Sequence, residues 1–164
     1  LEPTASYWDC GEFISASAKL EVPHPPGTPF FLLVNRMFAM LASEPSQVAY
    51  MVNLSSGLSS GFTILFLYWT ISLLALKFFN YNKPNFEPTK AQAHSIMFAS
   101  AVGALAYAFS DSFWFSAVEA EVYAMSSFLT GFIFWAMLKW DVIKDEKAAN
   151  RWLLLIAYLI GLSI

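Results

Sequence analysis

"GFTILFLYWTISLLALKFF", residues 61–79, carries a single charge, Lys77, near its end. A stretch so continuously apolar does not alternate as a lipid-facing strand would, and it matches the roughly 20 residues that a helix needs to cross a hydrocarbon core. Within lipid a helix satisfies its own backbone hydrogen bonds, so this run decides the fold class. Upstream, "YMVNLSSGLSSG" (50–61) continues the pattern with small residues, and the whole run 46–78 would reach about 50 Å at 1.5 Å per residue. It must therefore tilt or project from the bilayer. Gly57 and Gly61 stand at the GxxxG spacing that lets another helix approach closely.

The same signature recurs over 91–110 and over 113–140, where Val122 to Leu138 is free of charge, and it begins again over 151–164. The chain as a whole is 57% hydrophobic, 18% aromatic and 13% charged, with a mean hydropathy of +0.52. These values point to an all-α polytopic membrane protein. It starts at Leu1 in polar sequence and ends inside an apolar run, so the reading expects a fragment: a span before Leu1 and a last helix continuing past Ile164. No signal-peptide pattern is visible. Cys10 is the only cysteine, so no intrachain disulfide can form.

Charge sets the orientation. Lys77, Lys83 and Lys90 flank one connection and Lys139, Lys144, Lys147 and Arg151 another at the same end, which is therefore cytoplasmic. The opposite end collects Glu2, Asp9, Glu12, Glu21, Glu44, Asp111, Glu119 and Glu121, with only Lys19 and Arg36 as cations. "TPFFLLVNRMFAMLA" (28–42) is short for a span and holds Asn35 and Arg36, which places it flat or re-entrant at the outer interface, with Thr28 as cap and Pro29 at the first position. A short crossing is the alternative, and it would move residues 1–27 to the other face. Residues 1–45 thus read as an extracytoplasmic loop with two interfacial helices, and 46–164 as the transmembrane region.

Chemistry, if any, faces outward. Asp9-Cys10-Gly11-Glu12 has capping-box spacing, so both acids could serve only to start a helix; catalysis by Asp9 stays open beside that. In the helix that follows, Glu12, Ser15 and Lys19 share one face and Phe13, Ala16 and Leu20 another, before "HPPGTP" ends it. Tyr7 and Trp8 suit an interface or a sugar face. Glu119 and Glu121 lie at the outer boundary of a span, where acids are costly. On a regular helix only one of them could face a given cavity, and snorkelling or a backbone contact would account for both. No glycine-rich phosphate loop, HExxH or CxxC occurs. His24 and His94 fall at opposite ends, so no metal site is assigned, although a divalent ion held by outer carboxylates stays open. With net charge -3 and no basic stripe, nucleic acid is not a partner.

"YWDCGEFISASAKLEVPHPPGTPFFLLVNRMFAMLA" (7–42), "AYMVNLSSGLSSGFT" (49–63) and "FWFSAVEAEVYAMSS" (113–127) together resemble a bacterial membrane family that is similar to eukaryotic transmembrane protein O-mannosyltransferases. The resemblance implies a GT-C glycosyltransferase of the bacterial inner membrane, with a periplasmic active site in the first outer loop and Leu1 just after the first span. It implies inverting transfer of a sugar, mannose by analogy, from a polyprenyl-phosphate donor to Ser/Thr hydroxyls of an exported polypeptide. Asp9 is then the base, and Glu12 caps the helix or orients the acceptor. Arg36, favoured over Lys19 and His24 for its fork, would hold the donor phosphate. Tyr7, Trp8, Glu119, Glu121 and Tyr123 would line the cavity. No further cofactor is implied. A non-catalytic scaffold or a transporter using Glu119 and Glu121 is the competing class.

Overall fold

The computed structural model describes residues 1–6, 8–25, 28–82, 87–143 and 149–163. Lys83, Lys144 and Lys147, used above for orientation, and Tyr7, expected in the cavity wall, lie outside the described residues. Every regular element among the described residues is helical: α1 Cys10–Lys19, α2 Pro29–Ala39, a single 3-10 turn Pro45–Gln47, α3 Val48–Asn82, α4 Lys90–Ala108, α5 Asp111–Val118, α6 Val122–Ile143 and α7 Ala149–Leu162. Among the described residues two helices are long and apolar enough to cross a membrane, and α4 with α5 makes a third if the pair, bent by 68°, is one span.

The 35-residue α3 is the mast of the bundle, packing along α6 and α4. Lipid tails are as apolar as leucine, so close packing rather than expulsion of water holds such helices together. Gly131 of α6 supplies the approach: a Cβ there would lie 3.8 Å from Phe66 Cβ and 3.9 Å from Thr63 O. Phe66 stacks on Phe132 with centroids 4.6 Å apart and meets Trp135 at 5.2 Å and Trp69 at 5.4 Å. At the other end of this interface Lys77 pairs with Asp141. The GxxxG pair divides its work: Gly57 is approached by Leu1 and by the carbonyl of Ala117, whereas Gly61 has open space in front of it.

The expected span over 113–140 is broken. The chain leaves α4 at Ala108, turns into the short α5, then runs extended through Glu119 (φ -131°, ψ 161°) before α6 starts at Val122. Ser110 and the acid pair at 119 and 121 supply the reason, because polar groups that seek partners off the helix axis favour helix ends over a continuous apolar rod.

At the outer end α1 and α2 lie against the bundle. Cys10, Phe13, Ile14, Ala16 and Ser17 form the buried face of α1, a helical stripe, while Glu12 and Lys19 turn away from it. Phe13 and Ala16 join Phe31 and Leu32 of α2, Met125 and Leu129 of α6 and Leu159 of α7 in one cluster. Leu20, assigned to that face, is instead exposed: it ends the helix in the left-handed conformation (φ 57°, ψ 44°). Asn35 is fully buried and accepts from Ser55 Oγ of α3, a contact that fixes α2 to the mast. Thr28 takes the cap position of α2 with Pro29 behind it, but at φ 89° its hydroxyl makes no cap hydrogen bond.

Candidate functional site

Three polar grips lead the chain from its start to Asp9. Asn53, buried in α3, donates from Nδ2 to the carbonyls of Glu2 (2.7 Å) and Thr4 (3.1 Å), and the Glu2 N–H donates to Val118 O at 3.0 Å. Ser6 Oγ then donates to the buried carboxylate of Glu119. A segment without secondary structure is thereby held against α3 and α5, and Trp8 and Asp9 emerge where it ends.

The capping box expected at Asp9 is not formed. Asp9 occupies the cap position just before α1 and its carbonyl accepts from Phe13 N–H at 2.9 Å, but its carboxylate makes no cap hydrogen bond and is 53% exposed. Glu12 does not reach back either; it turns to His24, whose N–H donates to Oε1 at 2.7 Å and whose Nδ1 lies 3.0 Å from Oε2. Two bonds from one carboxylate thus fix both the backbone and the ring of His24, leaving Nε2 3.9 Å from Asp9 Oδ2. The hydrogen bond to Glu12 raises the His24 pKa above the usual 6.5, and the same bond lowers Glu12 below 4.5, so the pairing favours the protonated ring and the ionised carboxylate.

On its other side Asp9 opens onto a cleft of about 720 Å³ walled by Trp8, Asp111, Ser112, Phe115, Ser116, Glu119, Glu121 and Tyr123. The break between α5 and α6 makes this possible: because residues 119–121 are not helical, both Glu119 and Glu121 reach the same space. Burial, reinforced by the charges of Glu119 and Asp9, raises the Glu121 pKa above 4.5. Trp8 stands 89% exposed at the rim, on a backbone with φ 59° that few residues other than glycine adopt.

The remaining expected residues are elsewhere. Arg36 Nη1 donates to Ala18 O, one of the free carbonyls at the end of α1, and so joins α2 to α1 instead of facing Asp9. Its reach along α1 is what spacing alone could not show. Lys19 pairs with Glu21 at 3.8 Å in solvent. Of the three cations nominated for a phosphate, only His24 adjoins Asp9. Sequence reasoning missed Asp111, Ser112, Phe115 and Ser116, for which the only signal was their place next to the acid pair. It also assigned no metal, whereas Asp9, Glu12 and His24 bring one ligand atom each within 4.8 Å of one another.

A second cavity, about 260 Å³, lies between the start of α2, α6 and the end of α7, lined by Thr28, Phe31, Val122, Met125, Leu129 and Leu162 among others. The Phe13 ring links it to the first site, 5.3 Å from the Phe31 ring and 5.7 Å from that of His24.

Comparison with known proteins gives this arrangement a lineage. Residues 9–164 match the family described as "Protein O-mannosyl-transferase TMEM260 N-terminal domain". The chain belongs to that family. It is also 27% identical over 156 residues to the mouse protein named Protein O-mannosyl-transferase TMEM260, an alignment covering 95% of this chain and 19% of the mouse one. The chain therefore spans about a fifth of the length of this curated relative. No solved structure gives a significant match. The family match begins at Asp9 and runs through the Glu119–Tyr123 segment, so every residue of the cleft wall except Trp8 lies within it.

Proposed function

We propose that this chain is the N-terminal, catalytic-face portion of a GT-C-type membrane glycosyltransferase that moves mannose from a polyprenyl-phosphate donor to Ser/Thr hydroxyls of polypeptides on the extracytoplasmic side. The observation that carries the reading is a carboxylate at the mouth of a cleft, Asp9, excused from capping and backed by the His24 ring, in a chain of the TMEM260 N-terminal family.

The chemistry follows from the two sides of Asp9. An acceptor hydroxyl in the cleft attacks the anomeric carbon from the face opposite the phosphate; Asp9 takes the hydroxyl proton as the new C–O bond forms, and the configuration inverts. The C–O bond to the phosphate breaks and the prenyl phosphate leaves as an anion. His24, whose ring Glu12 holds and biases toward its protonated form, is the group placed to stabilise that charge. Glu12 is thus a positioning residue. The prenyl chain would run past Phe13 and Phe31 into the apolar cavity at the start of α2.

The test uses the full-length protein in detergent with labelled prenyl-phosphate mannose and a Thr-containing acceptor. Asp9→Asn should lower transfer at least a thousandfold with the melting temperature unchanged, since the carboxylate makes no hydrogen bond to the helix start. Transfer that survives Asp9→Asn refutes the base assignment. A full-length protein that transfers nothing refutes the enzyme in favour of a scaffold.

A further inference from the structure

Trp8 is the largest side chain of the segment before α1 and the one the fold uses least. With 89% of its surface exposed, its indole contributes almost nothing to packing, and its backbone at φ 59° lies in the left-handed region, which costs stability in any residue but glycine. The strain is maintained from both sides. Ser6 is tied to Glu119 before it, and Cys10 after it is fully buried, its Sγ 3.9 Å from Asn53 Oδ1. A segment pinned at both ends thus turns its indole outward beside Asp9, at the mouth of the cleft.

A belt of aromatic residues at the membrane boundary would account for a tryptophan at this depth, but it would set the ring among headgroups and acyl chains. Trp8 instead shares its space with the oxygens of Asp9, Asp111, Ser112 and Ser116. A flat apolar face with acceptors around it suits a molecule that has one apolar face and a rim of hydroxyl donors. A pyranose is such a molecule: its axial C–H bonds, left slightly positive by the neighbouring oxygens, lie against the negative face of an aromatic ring, and its hydroxyls donate to oxygens at the edge. Being neutral, it calls for no counter-charge in the wall. A volume of about 720 Å³ takes a hexose and an acceptor side chain together.

We infer that Trp8 is the sugar platform of the cleft: the hexose of the donor lies on its indole, which sets the anomeric carbon beside Asp9. The nature of the donor rests on the glycosyl-transfer reading; the stacking does not. Trp8 and Asp9 are consecutive, so one strained turn fixes the distance between the ring that holds the sugar and the carboxylate that takes the proton.

The experiment uses the full-length protein in detergent with prenyl-phosphate mannose, read by saturation-transfer NMR of the sugar protons and, in parallel, by transfer kinetics and thermal unfolding. Trp8→Leu should raise the donor KM at least tenfold and remove saturation of the ring protons, with the acceptor KM and the unfolding midpoint unchanged, while Trp8→Tyr keeps most of both signals. Trp8→Gly should lose sugar binding and yet unfold at a higher temperature, because glycine relieves the strained φ; these opposite directions are what a merely structural tryptophan does not produce. Wild-type donor KM and ring-proton saturation in Trp8→Leu overturn the proposal, as do equal losses in Trp8→Leu and Trp8→Tyr, or a Trp8→Gly variant that is less stable than the parent. Ring-proton saturation that depends on Trp8 in a protein that transfers nothing keeps the platform and overturns the catalytic reading instead.

Discussion

Arg36 shows how the same residue reads differently alone and in place. Its guanidinium is committed to a helix-end carbonyl, so Arg36→Gln should cost on the order of 2 kcal/mol through a lost charge-assisted hydrogen bond, measured as a lowered unfolding midpoint, while the protein that remains folded keeps its transfer rate. Were it a phosphate ligand, the rate would fall first. His24 carries the opposite expectation. Its folded-state pKa is raised, so the Glu12–His24 pairing contributes fully below the usual 6.5 and is lost as pH rises through the raised value; Glu12, being lowered, keeps its contribution above 4.5 and loses it as pH falls through the depressed value. The transfer rate should accordingly decline on the alkaline side of 6.5, and His24→Gln should lower the rate and remove that alkaline limb from the pH profile. Asp9 and Glu12 were visible in the sequence as a pair, but their spacing pointed to each other; the partner that separates them, His24, comes from beyond the end of α1 and is brought back by the turn before α2.

At the scale of elements, apolar run length marked α3 and α6 plainly, because a membrane helix announces itself by what it lacks. Breaks were harder to place. The Glu119–Glu121 interruption turned an expected single span into α5 and α6, and the condition under which both acids could face one cavity was met by the loss of helical geometry. Thr89 and Gln92 form the capping box that Asp9 and Glu12 do not, at the start of α4, where Gln92 Oε1 accepts from the Thr89 N–H and Thr89 Oγ1 accepts from the Gln92 N–H. Asn53 was the least legible: one amide among serines in a long helix, it holds the segment that presents Asp9. Asn53→Leu should therefore lower the transfer rate at least tenfold through misplacement of Asp9, with a stability loss of about 1–3 kcal/mol from two carbonyls left without their donor. A circular dichroism melt together with the transfer assay separates these effects, and a variant that keeps its rate would show that the segment needs no such anchor.

For the whole molecule, charge by connection placed all the candidate chemistry at one end of the bundle, and the described helices agree: the Lys77–Asp141 pair is at the end of α3 and α6 remote from the cleft. Sidedness is open to a direct check. With Cys10 fully buried, the protein has no accessible thiol of its own among the described residues. A membrane-impermeant maleimide should label Trp8→Cys in intact cells and Val142→Cys only after permeabilisation; the reverse pattern would put the cleft in the cytosol and remove the prenyl-phosphate reading. What the sequence could not convey is convergence, since the two halves of the cleft are separated by α1, α2, α3 and α4 and nothing in either half names the other.

That separation along the chain has a consequence for how the protein is made. Residues 8 and 9 leave the ribosome about a hundred positions ahead of residues 111–123, so the pocket cannot exist until α6, the third long helix among the described residues, has been inserted beside α3. A partly synthesised chain therefore carries Asp9 as an isolated surface carboxylate, and the cleft comes into being only once insertion has delivered both of its banks to the same leaflet.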